Sequence, residues 1–277
     1  MHPILELGPV VFRSDLAMLL VVAVLGAVLG DRQLRAIGAD PALGWQLLPW
    51  GAVGGVVGAK LYRMPEALAA IARDPLHAFA TLPSTWYGAF AGGLLLCAWR
   101  VRRNGTYPLH LFFDLLAPVL AISYALLRIG CFLNGDDYGV PTDAAVGMAF
   151  PAGAPPSTAH ALRALGVNVA ADVPDAQLLT VHPTQLYEAA VHLALFAALW
   201  PATRRRFRPW SVFAVFLMVH GVARIVVETV RIKIDRLPNG VTITQLLSAM
   251  LVLAGMYLWR RHQRLPVARY VAPPVAR

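Results

Sequence analysis

Between Arg128 and Gly139 the chain reads Arg-Ile-Gly-Cys-Phe-Leu-Asn-Gly-Asp-Asp-Tyr-Gly, at the end of a long apolar run. This sets an arginine, an amide, two carboxylates and three glycines at a membrane edge. A guanidinium there is costly unless it faces protein, water or an anion. Glycines allow close backbone approach and positive φ. The combination predicts a polar pocket that holds an anion such as a lipid phosphate. A second group, Arg224, Glu228 and Arg231, is spaced by four and seven, which predicts one helical face. It reads either as a salt-bridged helix end or as an anion clamp in which Glu228 fixes the Arg224 guanidinium. Arginine suits the clamp because its planar fork grips phosphate oxygens in pairs. A third group, His182-Pro-Thr-Gln-Leu-Tyr-Glu188, opens a helix with Pro183 at its first position and Gln185 and Glu188 on one face. By itself this segment reads first as capping. His110 and Asp114, four apart, read as packing or a buried hydrogen-bonded pair.

The elements that carry these groups follow from composition. The 277 residues are 58% hydrophobic and 14% charged, with mean hydropathy +0.59. Soluble domains carry about 25% charged residues, so the chain is expected to be an all-α integral membrane protein. Apolar runs at about 15–30, 46–62, 86–99, 110–130, 186–202, 210–227 and 242–259 predict about seven transmembrane helices. The second and third are glycine-rich and carry the weaker signal.

The net charge of +9 points to membrane orientation rather than to nucleic acid. Arg32 and Arg35, Arg100, Arg102 and Arg103, Arg204, Arg205, Arg206 and Arg208, and Arg260, Arg261 and Arg264 all fall on one side of a seven-span path; Arg13 is a mild exception. The positive-inside rule makes that side cytoplasmic. A multi-pass protein of the bacterial inner membrane follows, its N-terminus periplasmic and its C-terminus cytoplasmic. The first residues lack a basic region and a small-residue cleavage site, so no removable signal is expected. Cys97 and Cys131 lie in or beside apolar runs and predict no structural disulfide.

No internal repeat or low-complexity linker divides the chain, which predicts a single membrane domain over 1–277. The loop at about 132–185 is long, rich in proline and glycine, and flanked by two of the polar groups. It predicts a small ordered periplasmic head with turns, short strands and a short helix from Thr158 to Gly166.

In these motifs the chain resembles the prolipoprotein diacylglyceryl transferase family. The resemblance is carried in order by Leu-Gly-Pro at 7–9, Gly88 to Gly93, Asp114 to Pro118, Arg128 to Gly139, Gly147 to Pro151, His182 to Glu188, Arg224 to Glu228 and Gln245 to Ser248. It implies transfer of the diacylglyceryl group of phosphatidylglycerol to the lipobox cysteine thiol of a prolipoprotein, with release of glycerol phosphate. The implied partners are that lipid, the lipobox peptide and the bilayer, with no nucleic acid, cofactor or metal. Carried over by motif position, Arg128, Asn134, Asp136 (a glutamate in the family pattern), Arg224 and Glu228 form the expected catalytic set. Arg128, Gly139, His182, Gln185, Tyr187, Arg224 and Arg231 form the expected substrate-binding set. Arginines in a water-poor site stabilise charge that develops on a departing phosphate, and the thiol must lose its proton to attack.

Beyond Asp136, three departures from the family pattern matter. Cys131 replaces an asparagine, Ala91 replaces the histidine of a His-Gly-Gly, and Arg13-Ser14-Asp15-Leu16 stands where His-Trp-Tyr-Gly is expected. Asp136, Glu228 and His182 are the available replacements as base. The departures also admit a divergent or catalytically impaired homologue that binds phospholipid or lipoprotein, or that transfers to a different acceptor. A covalent role for Cys131 is the weaker reading, because an embedded cysteine is ordinarily an inert small hydrophobe. An anion transporter ranks last, since such folds are built from repeats.

Overall fold

The computed structural model describes residues 4–7, 10–40, 42–61, 64, 72–75, 77, 86–105, 107–203, 207–232 and 240–266. Among these, a short hairpin of β1 (Ile4–Leu7) and β2 (Val10–Arg13) precedes eight helices. They are α1 (Ser14–Ala36), α2 (Ala42–Leu61), α3 (Trp86–Asn104), α4 (Leu109–Asn134), α5 (Ala159–Ala164), α6 (Thr184–Ala202), α7 (Ser211–Glu228) and α8 (Ile243–His262). All but α5 have 18 residues or more, close to the ~20 that cross a bilayer at 1.5 Å per residue. Four of them, α1, α4, α7 and α8, are also apolar enough along their length to cross a membrane. The chain is a multi-pass helical membrane protein, and its seven long helices coincide with the seven apolar runs. Arg204, Arg205 and Arg206, the Gly8-Pro9 pair and the side chains of Arg13 to Leu16 lie outside the described residues.

The chain divides into two compact units. The first comprises Met1–Gly26 and Leu116–Arg269; the second comprises Ala27–Leu115 and Tyr270–Arg277.

In the second unit α2 and α3 meet through their glycines. A Cβ on Gly54 would stand 2.8 Å from Leu96 Cβ and strike the Gly92 carbonyl, and one on Gly58 would stand 2.8 Å from Gly92 Cα. Small residues let two backbones touch, which is how helices associate where lipid removes the hydrophobic drive between them. The glycines that weaken these runs as hydropathy signals are therefore the contact surface itself. The opposite faces expose Val53, Val56, Val57 and Leu95, as expected where lipid replaces water. In the same unit Leu34, Ile37, Leu43, Val101, Tyr107, Leu111 and Leu115 form an apolar cluster, and the Tyr107 hydroxyl accepts from Asp40 N at 3.0 Å. Asp114 is fully buried.

In the first unit α7 and α8 pack by the same device. A Cβ on Gly221 would lie 2.6 Å from the Ser248 carbonyl, and one on Gly255 would lie 2.8 Å from that of Ala214. Gln245 belongs to a capping box. Its backbone N–H donates to Thr242 Oγ1 and its side-chain oxygen accepts from Thr242 N, both at 3.1 Å. The Gln245-to-Ser248 motif thus starts and seats α8.

The segment between α4 and α6 is ordered by a small core of Tyr138, Phe150, Leu162 and Val181, with Tyr138 stacked on Phe150 at 5.2 Å between ring centroids. Ser157 Oγ accepts from Phe150 N and donates to the Leu179 carbonyl, each at 2.9 Å. Isolated bridges join Pro141 and Met148 to Val181, and Thr158 to Leu178. The short helix forms as its sequence predicts: Thr158 caps α5 by accepting from Ala161 N, and Gly166 follows at φ 78°. Arg163 closes the return by donating to Asp175 Oδ1 (2.5 Å) and to the Val173 carbonyl (2.8 Å).

Candidate functional site

The site is built where α4, α6 and α7 come together and the chain leaves α4. Arg128 lies within α4, which runs on through Cys131 to Asn134, so the guanidinium is carried by a helix and not by the loop after it. Its partner four residues earlier is Tyr124, whose hydroxyl accepts from Arg128 Nε (3.1 Å) and Nη2 (3.0 Å). The guanidinium carbon also lies 5.0 Å from the Tyr124 ring centroid.

The centre of the arrangement is Glu188, on the first turns of α6 and almost wholly buried. Its Oε1 accepts from Tyr124 OH at 2.9 Å and from Arg224 Nη1. Its Oε2 lies 2.8 Å from Arg128 Nε, an ion pair without hydrogen-bond alignment. One carboxylate therefore holds an arginine from α4 and another from α7. Glu228, on α7, approaches Arg224 Nη2 only at 3.5 Å. The expected four-residue pair exists, but Glu188 makes the closer contacts with both guanidiniums.

Two histidines support this packing. His192 Nδ1 lies 2.8 Å from the Glu188 carbonyl, and its Nε2 lies 2.8 Å from His220 Nδ1. A carbonyl only accepts, so His192 Nδ1 carries a proton and its Nε2 accepts from His220. The His192 ring packs 4.3 Å from that of Tyr124.

Arg231 reaches the site by a route that helical spacing does not give. Helix α7 ends at Glu228, and Arg231 pairs with Gly139 in an isolated antiparallel bridge. A helical face extended by seven residues runs past the end of the helix. From this bridge Arg231 Nη2 meets Asp137 Oδ1 at 2.5 Å, and Asp137 Oδ2 accepts from Arg128 Nη1 at 2.9 Å. Asp137 sits at φ 63°, two residues after Gly135 at 72°, a left-handed conformation that aspartate tolerates better than most residues. Burial alone would raise its pKa, but Arg231 and Arg128 outweigh that and hold it below the usual carboxylate range.

The remaining expected residues fix the same turn. Asn134 Nδ2 donates to Asp136 Oδ2 at 2.5 Å, while Asp136 Oδ1 is buried with no hydrogen-bond partner among the described residues. Burial pushes the Asp136 carboxyl above its ordinary range. Gln185 Nε2 donates to the Asp136 carbonyl (2.5 Å), and Thr184 Oγ1 to that of Asp137 (2.6 Å). Pro183 precedes α6 as its cap residue, one position earlier than its sequence predicts, and Gln185 serves the loop. Gly139 N donates to the His182 carbonyl at 2.8 Å. A Cβ on Gly139 would strike the Val230 carbonyl and stand 2.9 Å from both His182 Cβ and Thr184 Cγ2, so only glycine lets these three segments close. His182 Nδ1 and Tyr187 OH pair at 3.1 Å.

Tyr124 is left out of the sequence reading of the site, and Asp137 and Glu188 stand in its motifs without an assigned catalytic or binding role. Tyr124 carries a usable signal, four residues before Arg128 on one face. Glu188 is visible as part of a motif, but its partners lie far away in sequence. Cys131 is free and half-buried, with Arg128 Nη1 4.0 Å from its sulfur. Ligand atoms of Cys131, Asp136 and Asp137 fall within 4.8 Å of one another. However, Asp137 already serves two guanidiniums, and Arg128 beside the sulfur would repel a cation. These residues belong to the arginine cluster.

Fold and site together define a multi-pass helical membrane protein with a buried cluster of arginines and carboxylates where α4, α6 and α7 meet. The family model for prolipoprotein diacylglyceryl transferase matches residues 3–261, and the chain belongs to that family. It is 31% identical over 286 residues to the phosphatidylglycerol–prolipoprotein diacylglyceryl transferase of Parasynechococcus marenigrum (strain WH8102), covering 95% of each chain. It is 34% identical over 235 residues to that of Azotobacter vinelandii (strain DJ / ATCC BAA-1303), covering 79% of this chain and 78% of the relative. Against that of Pseudomonas savastanoi pv. phaseolicola (strain 1448A / Race 6) it is 31% identical over 235 residues, covering 82% and 79%.

Proposed function

We propose that this protein transfers the diacylglyceryl group of phosphatidylglycerol to the lipobox cysteine of a prolipoprotein, the first step of bacterial lipoprotein maturation. The observation that carries the reading is Glu188: one buried carboxylate holds Arg128 and Arg224 from two different helices at one place. In the reaction a thiolate sulfur attacks an sp3 carbon of the lipid glycerol. The C–S bond forms, the carbon–oxygen bond to phosphate breaks, and glycerol phosphate leaves with the electron pair. Charge on the leaving phosphate grows beside guanidiniums that need no reorientation, in surroundings where such preorganisation acts most strongly.

The thiol proton needs an acceptor, and Asp136 is the best placed of the candidates. Asn134 fixes one of its oxygens, it stands on the turn that also carries Asp137, and burial raises its proton affinity. Gln185 and Gly139 hold the loop that carries Asp136 and Asp137. His182 and Tyr187, paired at the start of α6, complete the substrate-binding set. The chain acts as a single membrane domain whose periplasmic head lies at about 132–185, with its N-terminus outside and its C-terminus in the cytoplasm. Basic residues at or just beyond the C-terminal ends of α1, α3, α6 and α8 support that orientation in an inner membrane.

A second reading is a homologue that binds lipid or lipoprotein without transferring, favoured by Ala91 and Cys131 at positions where the family pattern has histidine and asparagine. Expression in bacteria depleted of their own transferase separates the two. The first reading predicts growth with lipidated lipoproteins. Protein that inserts and folds but restores neither growth nor lipidation supports the second.

A further inference from the structure

Three guanidiniums in the site, Arg128, Arg224 and Arg231, face three carboxylates, Glu188, Glu228 and Asp137. Two of these carboxylates are buried on helices. Asp137 differs, because its side chain is 40% exposed and it sits on a left-handed turn residue. Its two oxygens each engage a different arginine, Oδ2 with Arg128 Nη1 at 2.9 Å and Oδ1 with Arg231 Nη2 at 2.5 Å. Two anionic oxygens on one centre, spread between two guanidinium forks, is also how a phosphate would be gripped.

We propose that the Asp137 carboxylate is a built-in stand-in for the lipid phosphate, held between Arg128 and Arg231 until an anionic headgroup displaces it. The inference rests on the transferase reading and adds a specificity-determining residue to it. Before the lipid binds, the carboxylate pairs with Arg231 and adds a second acid to Arg128, which also meets Glu188. Because Asp137 is on the open side of the cluster, it is the carboxylate that can leave without unpacking a helix. Glu188 stays behind to keep Arg128 and Arg224 in place. A ligand must offer two anionic oxygens to replace it, which favours a phosphate over a monodentate anion such as chloride.

The test is calorimetric titration of glycerol phosphate, the soluble part of the lipid headgroup, into the full chain in nanodiscs of zwitterionic lipid. Asp137→Asn keeps a residue that tolerates positive φ, and Asp137→Gly removes the strain of that conformation altogether. Both variants are expected to bind glycerol phosphate at least about tenfold more tightly than the wild type, since they remove a like charge from the anion's seat. The KM for phosphatidylglycerol is expected to fall with it. Unchanged or weaker binding in both variants, with binding still abolished by Arg128→Gln, overturns the stand-in while leaving the anion site intact. Absence of binding in wild type and variants alike, together with absence of transfer, removes the transferase reading and this inference with it.

Discussion

Replacing Glu188 by glutamine probes the site at its centre. The carboxylate accepts from Tyr124 and Arg224 on one oxygen and meets Arg128 on the other at 2.8 Å. A glutamine keeps one acceptor and turns the other atom into a donor, so in either orientation one guanidinium faces an amine. A hydrogen bond to a charged group contributes about 1.5–3 kcal/mol, and breaking a buried ion pair from one side costs about 3–5 kcal/mol. If about 3 kcal/mol of this reaches the transition state, kcat/KM falls on the order of a hundredfold; the rest is lost from thermal stability. Glu228→Gln is the internal control. Among the described residues its one ion pair is with Arg224 at 3.5 Å, so a loss of about 1 kcal/mol and no more than roughly tenfold in rate is expected. Transfer to a lipobox peptide, normalised to detergent-solubilised folded protein, measures both. Glu228→Gln as damaging as Glu188→Gln, or Glu188→Gln with wild-type activity and stability, would refute the placing of Glu188 at the centre.

Arg128→Ala and Arg224→Ala are each expected to abolish transfer while the protein still inserts in the membrane, as read by activity and membrane fractionation. Asp136→Asn should lower turnover more than it lowers expression. If Asp136 accepts the thiol proton as a carboxylate, wild-type activity falls as pH drops through its raised pKa, above the ordinary aspartate value of about 3.9. Asp137, held below that range, stays charged across this limb, and the Asp136→Asn variant should lack the limb in a pH–rate profile. Gly92→Val drives a side chain into the Gly54 and Gly58 backbone and should cost at least about 1–3 kcal/mol of stability, measured as a lower Tm in detergent. Gly139→Ala, which pushes on the Val230 carbonyl, should reduce activity by displacing Arg231 more than it reduces insertion.

The seven long helices are legible in the sequence because lipid imposes a nearly uniform apolar run on anything that crosses it. The cap at Thr158 and the stop at Gly166 are legible because both act within one turn. The site is legible as motifs but not as a network. Arg128 and Arg224 announce themselves as charges in apolar runs. Glu188 meets them across 60 and 36 residues of sequence, and from its own neighbours it reads as a first-turn acid. Arg231 belongs to the cluster that its spacing suggests but arrives by another geometry, since periodicity does not say where α7 stops. Asp137 enters only through a left-handed turn, which local spacing does not encode. Glycine misleads in the opposite direction: it weakens α2 and α3 as hydropathy signals while providing the surface on which they pack.

The most direct measurement of the central claim is mass spectrometry of a lipobox peptide incubated with the purified protein and phosphatidylglycerol. The account predicts a gain equal to one diacylglyceryl group on the cysteine, with glycerol phosphate released in equal amount and both lost in Arg128→Ala. A peptide that stays unmodified with folded, membrane-inserted protein would contradict it.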